Sequence, residues 1–165
     1  MAPTIYVGID NGITGAVAFL FPCGLAKVYV TPTTNRGTDT VIDDIVLRDM
    51  LLSAGSHVFV TYERTNKNPI WGCKGNFSNG INAGIVRTTL RQMGLPNLEV
   101  HGKEWQSTLH QGFRVAGLDT KKASFAACAA HFPDVSLLPT SRSKNKHSGM
   151  ADALLIAKWG KDNNL

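Results

Sequence analysis

No apolar stretch in the 165 residues approaches the ~18 needed for a membrane-spanning helix, so no membrane partner is expected. Cysteine is sparse. Cys23, Cys73 and Cys128 form no close pair and no metal-ligand spacing, which argues against a disulfide framework or a thiolate metal site. The odd, scattered set reads as small buried hydrophobes in a reducing compartment. There are no internal repeats and no low-complexity tracts, and the length suits one domain over residues 1–165. The first strand pattern begins almost at the N-terminus, leaving no room for a signal or transit peptide. Negative charge is also in the minority: 12 acidic residues stand against 17 Lys and Arg, for a formal net charge of +5. That balance leans towards a polyanionic partner.

Hydrophobic residues make up 43% of the chain, enough for a full core. Strand-like runs occupy Thr4 to Asp10, Gly15 to Phe21 and Ala26 to Val30, separated by short Gly- or Pro-containing turns, the pattern of an antiparallel meander. Thr33 to Thr40 reads as a polar loop and Val41 to Ser53 as an amphipathic helix ended by Gly55. Val58 to Glu63 is a fourth strand, and Arg64 to Phe77 a long loop of the kind that is usually functional or disordered. A helix over Ser78 to Met93, a short strand over Leu98 to His101, and helices over Lys103 to His110, Thr120 to His131 and Ser148 to Lys158 complete the order β-β-β-α-β-α-β-α-α-α. Such an order makes an α/β domain, with helices on the faces of a mixed sheet.

Three of the few acids sit in apolar surroundings. Asp10 and Glu63 each end an apolar strand-like run, and Asp152 lies within Met150-Ala151-Asp152-Ala153-Leu154-Leu155-Ile156-Ala157. A carboxylate is costly to bury unpaired, and no Lys or Arg adjoins Asp10 or Asp152 in sequence. A divalent cation such as Mg²⁺ is the cheapest shared partner. If strands one and four are parallel neighbours, Asp10 and Glu63 emerge at the same end of the sheet. Each acid also has a plainer reading: Asp10-Asn11-Gly12 as a turn, Glu63 as a surface partner of Arg64, Asp152 as a solvated helix residue. Basic residues lie close by in sequence. Lys67 and Lys74 flank the loop after Glu63, Lys121 and Lys122 open a helix, and Arg142, Lys144 and Lys146 precede the Asp152 helix. They suit a site that holds phosphates beside a metal.

Val7-Gly8-Ile9-Asp10-Asn11-Gly12-Ile13-Thr14-Gly15 resembles the opening motif of the RuvC-type Holliday junction resolvases, within the RNase H-like superfamily. Tyr62-Glu63-Arg64 stands where that family has its second acid, and Gly149-Met150-Ala151-Asp152-Ala153-Leu154-Leu155-Ile156-Ala157 resembles its closing motif. The stretches Asn76-Phe77-Ser78 to Gly84 and Gly102-Lys103-Glu104-Trp105 resemble its phage, bacterial and chloroplast branch. The resemblance implies an α/β, RNase H-like fold, with a five-stranded mixed sheet of three antiparallel strands then two parallel and helices on both faces, and a homodimer that nicks opposing strands of a four-way DNA junction. It implies two Mg²⁺ ions per site, replaceable by Mn²⁺, with Asp10 bridging them and Glu63 and Asp152 completing one side each. It implies an aromatic wedge at the junction centre, for which Trp71 and Phe77 are candidates. Phe77 equally reads as a hydrophobic staple for a helix starting at Ser78.

Relatives often place an acid or His three or four residues before the last Asp; here Gly149 and Ser148 stand there. Ser148, one helical turn before Asp152, and His147, which lies outside the helix and can turn inward if Ser148 caps it, are the two candidate substitutes. Gly80 and Gly84 share a helix face that serves either a dimer contact or packing on the sheet. The resemblance implies action in the cytoplasm or nucleoid of a bacterial or phage-infected cell, or in an organelle if a transit peptide has been removed. Two alternatives stand beside it. One is a non-catalytic junction-binding module of the same fold. The other is an actin- or sugar-kinase-like ATP-binding domain, whose phosphate loop also reads Gly-Ile-Asp-x-Gly-x-Thr-Gly, although such proteins use two domains.

Overall fold

A computed structural model describes residues 4–163 except 67 and 116. β1 (Ile5–Asp10), β2 (Ala16–Leu20) and β3 (Ala26–Val30) form the expected meander, with Val7 opposite Phe19 and Ala18 opposite Val28. β6 (Val58–Glu63) lies parallel to β1, and β7 (Asn97–Val100) parallel to β6. The sheet order is β3-β2-β1-β6-β7. This is the mixed sheet the sequence predicts.

Side-chain alternation divides the core. Val7 and Ile9, Val17 and Phe19, and Val58, Val60 and Tyr62 face one side. There they bury against Leu47 and Leu51 of α1 (Asp44–Ser53) and Val86 and Leu90 of α2 (Gly72–Met93). Ala16, Ala18 and Leu20 face the other side. There they meet Cys128 of α5 (Thr120–His131) and Met150, Ala151, Ala153, Leu154 and Ala157 of α6 (Ser148–Asp162). Small residues let α6 press onto the strands. A methyl group at Gly8 would overlap the Ala153 carbonyl and the Ala157 amide, and one at Gly160 would overlap Thr61. Val100, Trp105, Leu109, Ala127, Leu155 and Ile156 close a third cluster where α3 (Gly102–Leu109) meets α6.

Several expectations are corrected. The Thr33–Thr40 segment is no loop. β4 (Thr33–Arg36) and β5 (Asp39–Ile42) form a separate hairpin turned by Gly37 at φ +64°. Its β-branched residues favour a strand, but the alternation is masked because most of its side chains are polar. The helix expected from Val41 starts at Asp44, because Asp43 accepts the Ile45 and Val46 amides at 3.1 and 3.0 Å and so caps it. Val41 and Ile42 belong to β5, where the Ile42 amide donates to buried Asn82 Oδ1 at 2.8 Å. The expected long loop after Glu63 is only half its length. A 3₁₀ turn (Pro69–Trp71) leads into α2 at Gly72. Asn76 anchors it: its Oδ1 accepts the Asn68 amide and its Nδ2 donates to the Asn68 carbonyl, both at 2.8 Å. Phe77 therefore lies inside α2 and is no staple for a helix start at Ser78. α4 (Gln111–Val115) is an additional short helix. Cys23 and Cys73 are exposed, against expectation, and only Cys128 is buried.

Candidate active site

Strand alternation decides where the acids point. Ile9 pairs with Tyr62, so Asp10 and Glu63 stand one step further along parallel neighbours, at the same sheet end. Both lie on the face opposite Val7, Ile9, Val60 and Tyr62, which is the face that α6 covers. Asn11 Nδ2 donates to the Glu63 carbonyl at 2.8 Å and ties the two strand ends together. The Gly15 amide donates to the Gly12 carbonyl at 2.9 Å, closing the turn beyond Asp10. A methyl at Gly15 would strike the Asp10 carbonyl, so only glycine fits there.

Asp152 arrives from α6. The first turn of that helix is set against the β1–β2 turn: a methyl at Gly149 would lie 2.7 Å from the Thr14 carbonyl oxygen and 3.0 Å from Asp10 Oδ2. Position 149 thus abuts Asp10. His147 itself caps α6, with Met150 N–H donating to its Nδ1 at 3.3 Å, and Ser148 is the first helical residue. The helix starts at Ser148 as expected, and the capping role considered for Ser148 falls to His147. Glu63 Oε1 sits beside the start of α3, 2.7 Å from where a Gly102 methyl would be.

The three carboxylates repel one another, and each is only partly exposed to solvent. Burial first, then Asp152 and Glu63, push the Asp10 pKa from 3.8 up to about 7. Burial and then Asp152 push Glu63 up to about 7. Burial pushes Asp152 up to about 6, opposed by the Ser124 hydroxyl and the Lys121 ammonium. None of the ion pairs among the described residues involves these acids. Arg64, adjacent to Glu63, turns to His101 Nε2 at 3.1 Å, so the surface-pair reading of Glu63 falls. Asp152 Oδ1 is buried with no hydrogen-bond partner. Oxygen donors with surplus negative charge and an orphaned oxygen fit a hard divalent cation. No three His, Cys, Asp or Glu side chains among the described residues are already close enough to enclose one ion.

A cleft of about 560 Å³ opens over Asp10 and Glu63 and is walled by Arg64, Asn66, Trp71, Ser78 and Asn79. Trp71 is half exposed on its rim. Phe77, 70% exposed, lies with Lys74 and Ile13 in a neighbouring depression against the β4–β5 hairpin. Ile70, 90% exposed beside Trp71, is missed by a sequence reading that looks only for aromatic rings. Burial lowers the His147 pKa and Lys121 adds to that fall, while Lys121 opposes the burial-driven rise at Asp152 and Lys146 the one at Cys128. Lys122 pairs with Asp119 at 3.5 Å, while Arg142 and Lys144 are on the loop before α6. Lys67 lies outside the described residues.

Sheet order, flanking helices and the placement of α6 give a fold similar to that of RuvC. Thermus thermophilus RuvC superposes with a TM-score of 0.54 at 16% identity, covering 98% of this chain and 97% of that one. T. thermophilus RuvC in complex with Holliday junction substrate superposes with a TM-score of 0.50 at 13% identity, covering 93% and 90%. No family model matches the sequence, and no curated protein is similar to it. The likeness therefore lies in the fold.

Proposed function

We propose that the chain is a divalent-metal-dependent endonuclease that acts as a homodimer on four-way DNA junctions. The observation that carries this reading is the convergence of Asp10, Glu63 and Asp152. They come from three separate elements onto one face of the sheet, burial raises their pKa values, and none of the described ion pairs involves them, Lys121 only opposing the rise at Asp152. The substrate class follows from the RuvC-type fold and from the Holliday junction bound by one of its structural neighbours.

Asp10, central to the set, and the flanking Glu63 and Asp152 would hold the metal, with Mg²⁺ the natural choice for an all-oxygen donor set and Mn²⁺ its substitute. Divalent ions there supply charge neutralisation at the scissile phosphate and lower the pKa of an attacking water. The chain's own task is positioning. Asn11 locks the strand ends and Gly149 admits α6 to Asp10. Lys121, Lys146, Arg142 and Lys144 offer cations to the phosphate backbone on the α6 side, with Lys122 and Lys74 further out, and Lys67 is a candidate by its sequence position alone. Trp71 stands where a ring can stack on an unpaired base; Phe77 is the second candidate. On α2, a methyl at Gly80 or Gly84 would meet nothing within 4 Å. That open face replaces the reading of these glycines as packing on the sheet, and suits contact with a second copy.

Cleavage of a synthetic junction with Mg²⁺ tests the reading, beside gel-shift binding. Asp10→Asn, Glu63→Gln and Asp152→Asn are expected to lose cleavage at least about a hundredfold and keep binding. Equal loss of both, with the fold intact, rejects the assignment. The spacing of the acids, not yet closed around one ion, favours a second reading: a junction-binding module without catalysis. Binding without cleavage in the unsubstituted chain, at any Mg²⁺ or Mn²⁺ concentration, would establish it.

A further inference from the structure

One wall of the carboxylate cleft carries an anchored cation. Among the described residues, Arg64 is the single Lys or Arg that lines the cleft over Asp10 and Glu63. The paired register of β6 and β7 ends with Glu63 opposite Val100, so Arg64 and His101 stand side by side one step further on. The peptide joining Glu63 to Arg64 is held at both its polar atoms. Asn11 Nδ2 donates to the Glu63 carbonyl at 2.8 Å, and the Arg64 amide donates to the Val100 carbonyl at 2.7 Å. His101 is fixed at the start of α3, where its carbonyl accepts the Glu104 amide at 2.9 Å and its amide donates to Glu104 Oε2 at 3.3 Å. Between these two anchored residues, Arg64 Nη1 lies 3.1 Å from His101 Nε2. An arginine can only donate, so Nε2 is the acceptor and carries no proton. Arg36, Arg48 and Arg87 each pair with an acid. Among the described residues no ion pair joins Arg64 to Glu63, its neighbour in sequence, and the guanidinium keeps its charge for another anion.

We propose that Arg64 grips a phosphodiester of the strand to be cut, next to the phosphate held over the carboxylates, and that His101 is a positioning residue that aims it. The proposal rests on the nuclease reading above. Asp10 and Glu63 give the cleft negative charge, which repels a DNA backbone wherever no cation intervenes. An arginine on the cleft wall offsets that repulsion. It does so without neutralising the proposed metal ligands, because it turns to the His101 ring and not to Glu63. A guanidinium has five N–H donors, and the contact with His101 takes one. The rest of the planar fork matches two oxygens of a phosphate. A side chain already held by His101 loses less freedom on binding than a free one. The clamped 63–64 peptide sets the offset between the guanidinium and the Glu63 carboxylate. Gripping one phosphate therefore registers its neighbour over the acids.

Binding of the full chain to a four-way junction without divalent metal, so that nothing is cut, tests this together with mapping of the cut in Mg²⁺. Single phosphates around the cut are replaced by methylphosphonate, which removes one charge. For the unsubstituted chain, one such replacement beside the cut phosphate should weaken binding roughly tenfold, in line with the loss of one charge-assisted hydrogen bond. Arg64→Ala should weaken binding to the unmodified junction by a similar factor and be indifferent to that same replacement. It should also lower the slope of log affinity against log salt concentration by about 0.9. Arg64→Lys, which keeps the charge without the fork, should keep the slope and recover part of the affinity. His101→Phe should lose part of the affinity, with no further loss in the Arg64→Ala background, and His101→Gln, which keeps an acceptor, should lose less. Arg64 is exposed, so its replacement leaves the core untouched. Cleavage by the unsubstituted chain, combined with an unchanged salt slope in Arg64→Ala or with full sensitivity of that variant to every methylphosphonate, overturns the proposal and leaves the nuclease reading standing. Unaltered affinity in His101→Phe overturns the part assigned to His101. No cleavage by the unsubstituted chain overturns the functional reading and this one with it.

Discussion

At Asp10 the folded chain holds a proton that the unfolded chain releases. Its pKa rises from 3.8 to about 7, so stability from this group is complete below the unfolded value and is lost as pH climbs through about 7. Glu63, raised to about 7, and Asp152, raised to about 6, act in the same direction. The metal-free chain should therefore melt at a lower temperature near pH ~8 than near pH ~5. Mg²⁺ should restore the loss at the higher pH, and Asp10→Asn should flatten the profile. A melting temperature independent of pH across that window contradicts the buried-triad account. The three acids are legible in the sequence because each interrupts or ends an apolar run, where a charge is conspicuous. The role of Gly149 is not, since its nearness to Asp10 depends on how α6 meets the β1–β2 turn. Nor is the contact of Arg64 with His101, which depends on the register of β6 and β7.

Helix α6 reaches Asp10 only because small residues let it lie directly on β1. Gly8→Ala drives a methyl into the Ala153 carbonyl, so the helix must lift. The expected loss is about 1–3 kcal/mol, a few degrees of melting temperature for a chain this size. Metal affinity should fall with it, because Asp152 rides on the displaced helix; a Gly8→Ala chain with unchanged melting and Mn²⁺ binding would count against this packing. The regular strands and α5 are legible from pattern alone, with Ala26–Val30, Val58–Glu63 and Thr120–His131 expected at their observed limits. The β4–β5 hairpin and the early start of α2 are not. One is a polar strand pair without clean alternation, and the other is initiated by Asn76 gripping Asn68 across eight residues. That early start places Trp71 on the rim of the carboxylate cleft and Phe77 outside it. Trp71→Ala should lower the cleavage rate roughly tenfold, in line with ~1–3 kcal/mol of base stacking, and Phe77→Ala should do less. A fluorescent base analogue at the junction centre reports the difference, and an unchanged signal in both variants ends the wedge assignment.

For the whole molecule, symmetry makes the sharpest demand. Paired nicks in a two-fold junction call for two sites related by a two-fold axis, and the open Gly80–Gly84 face of α2 suits a self-complementary contact. Sedimentation should show a dimer, and Gly84→Arg, on an exposed face, should shift it to monomer without unfolding it. A monomer both free and on DNA contradicts the dimer. The meander of the first three strands is legible from run lengths and turns, whereas the place of β6 beside β1 is implied by the resemblance of the three acidic motifs. The assembly is not legible, since an exposed glycine pair reads the same whether it meets a partner or solvent.

The most direct test of the central claim is strand-specific mapping of cuts in a four-way junction with each strand end-labelled in turn. With Mg²⁺ present, nicks should fall at symmetric positions in two opposing strands. They should disappear in Asp10→Asn and should be absent from linear duplex of the same sequence. Uncut junction, or cutting of duplex and junction alike, would contradict the account.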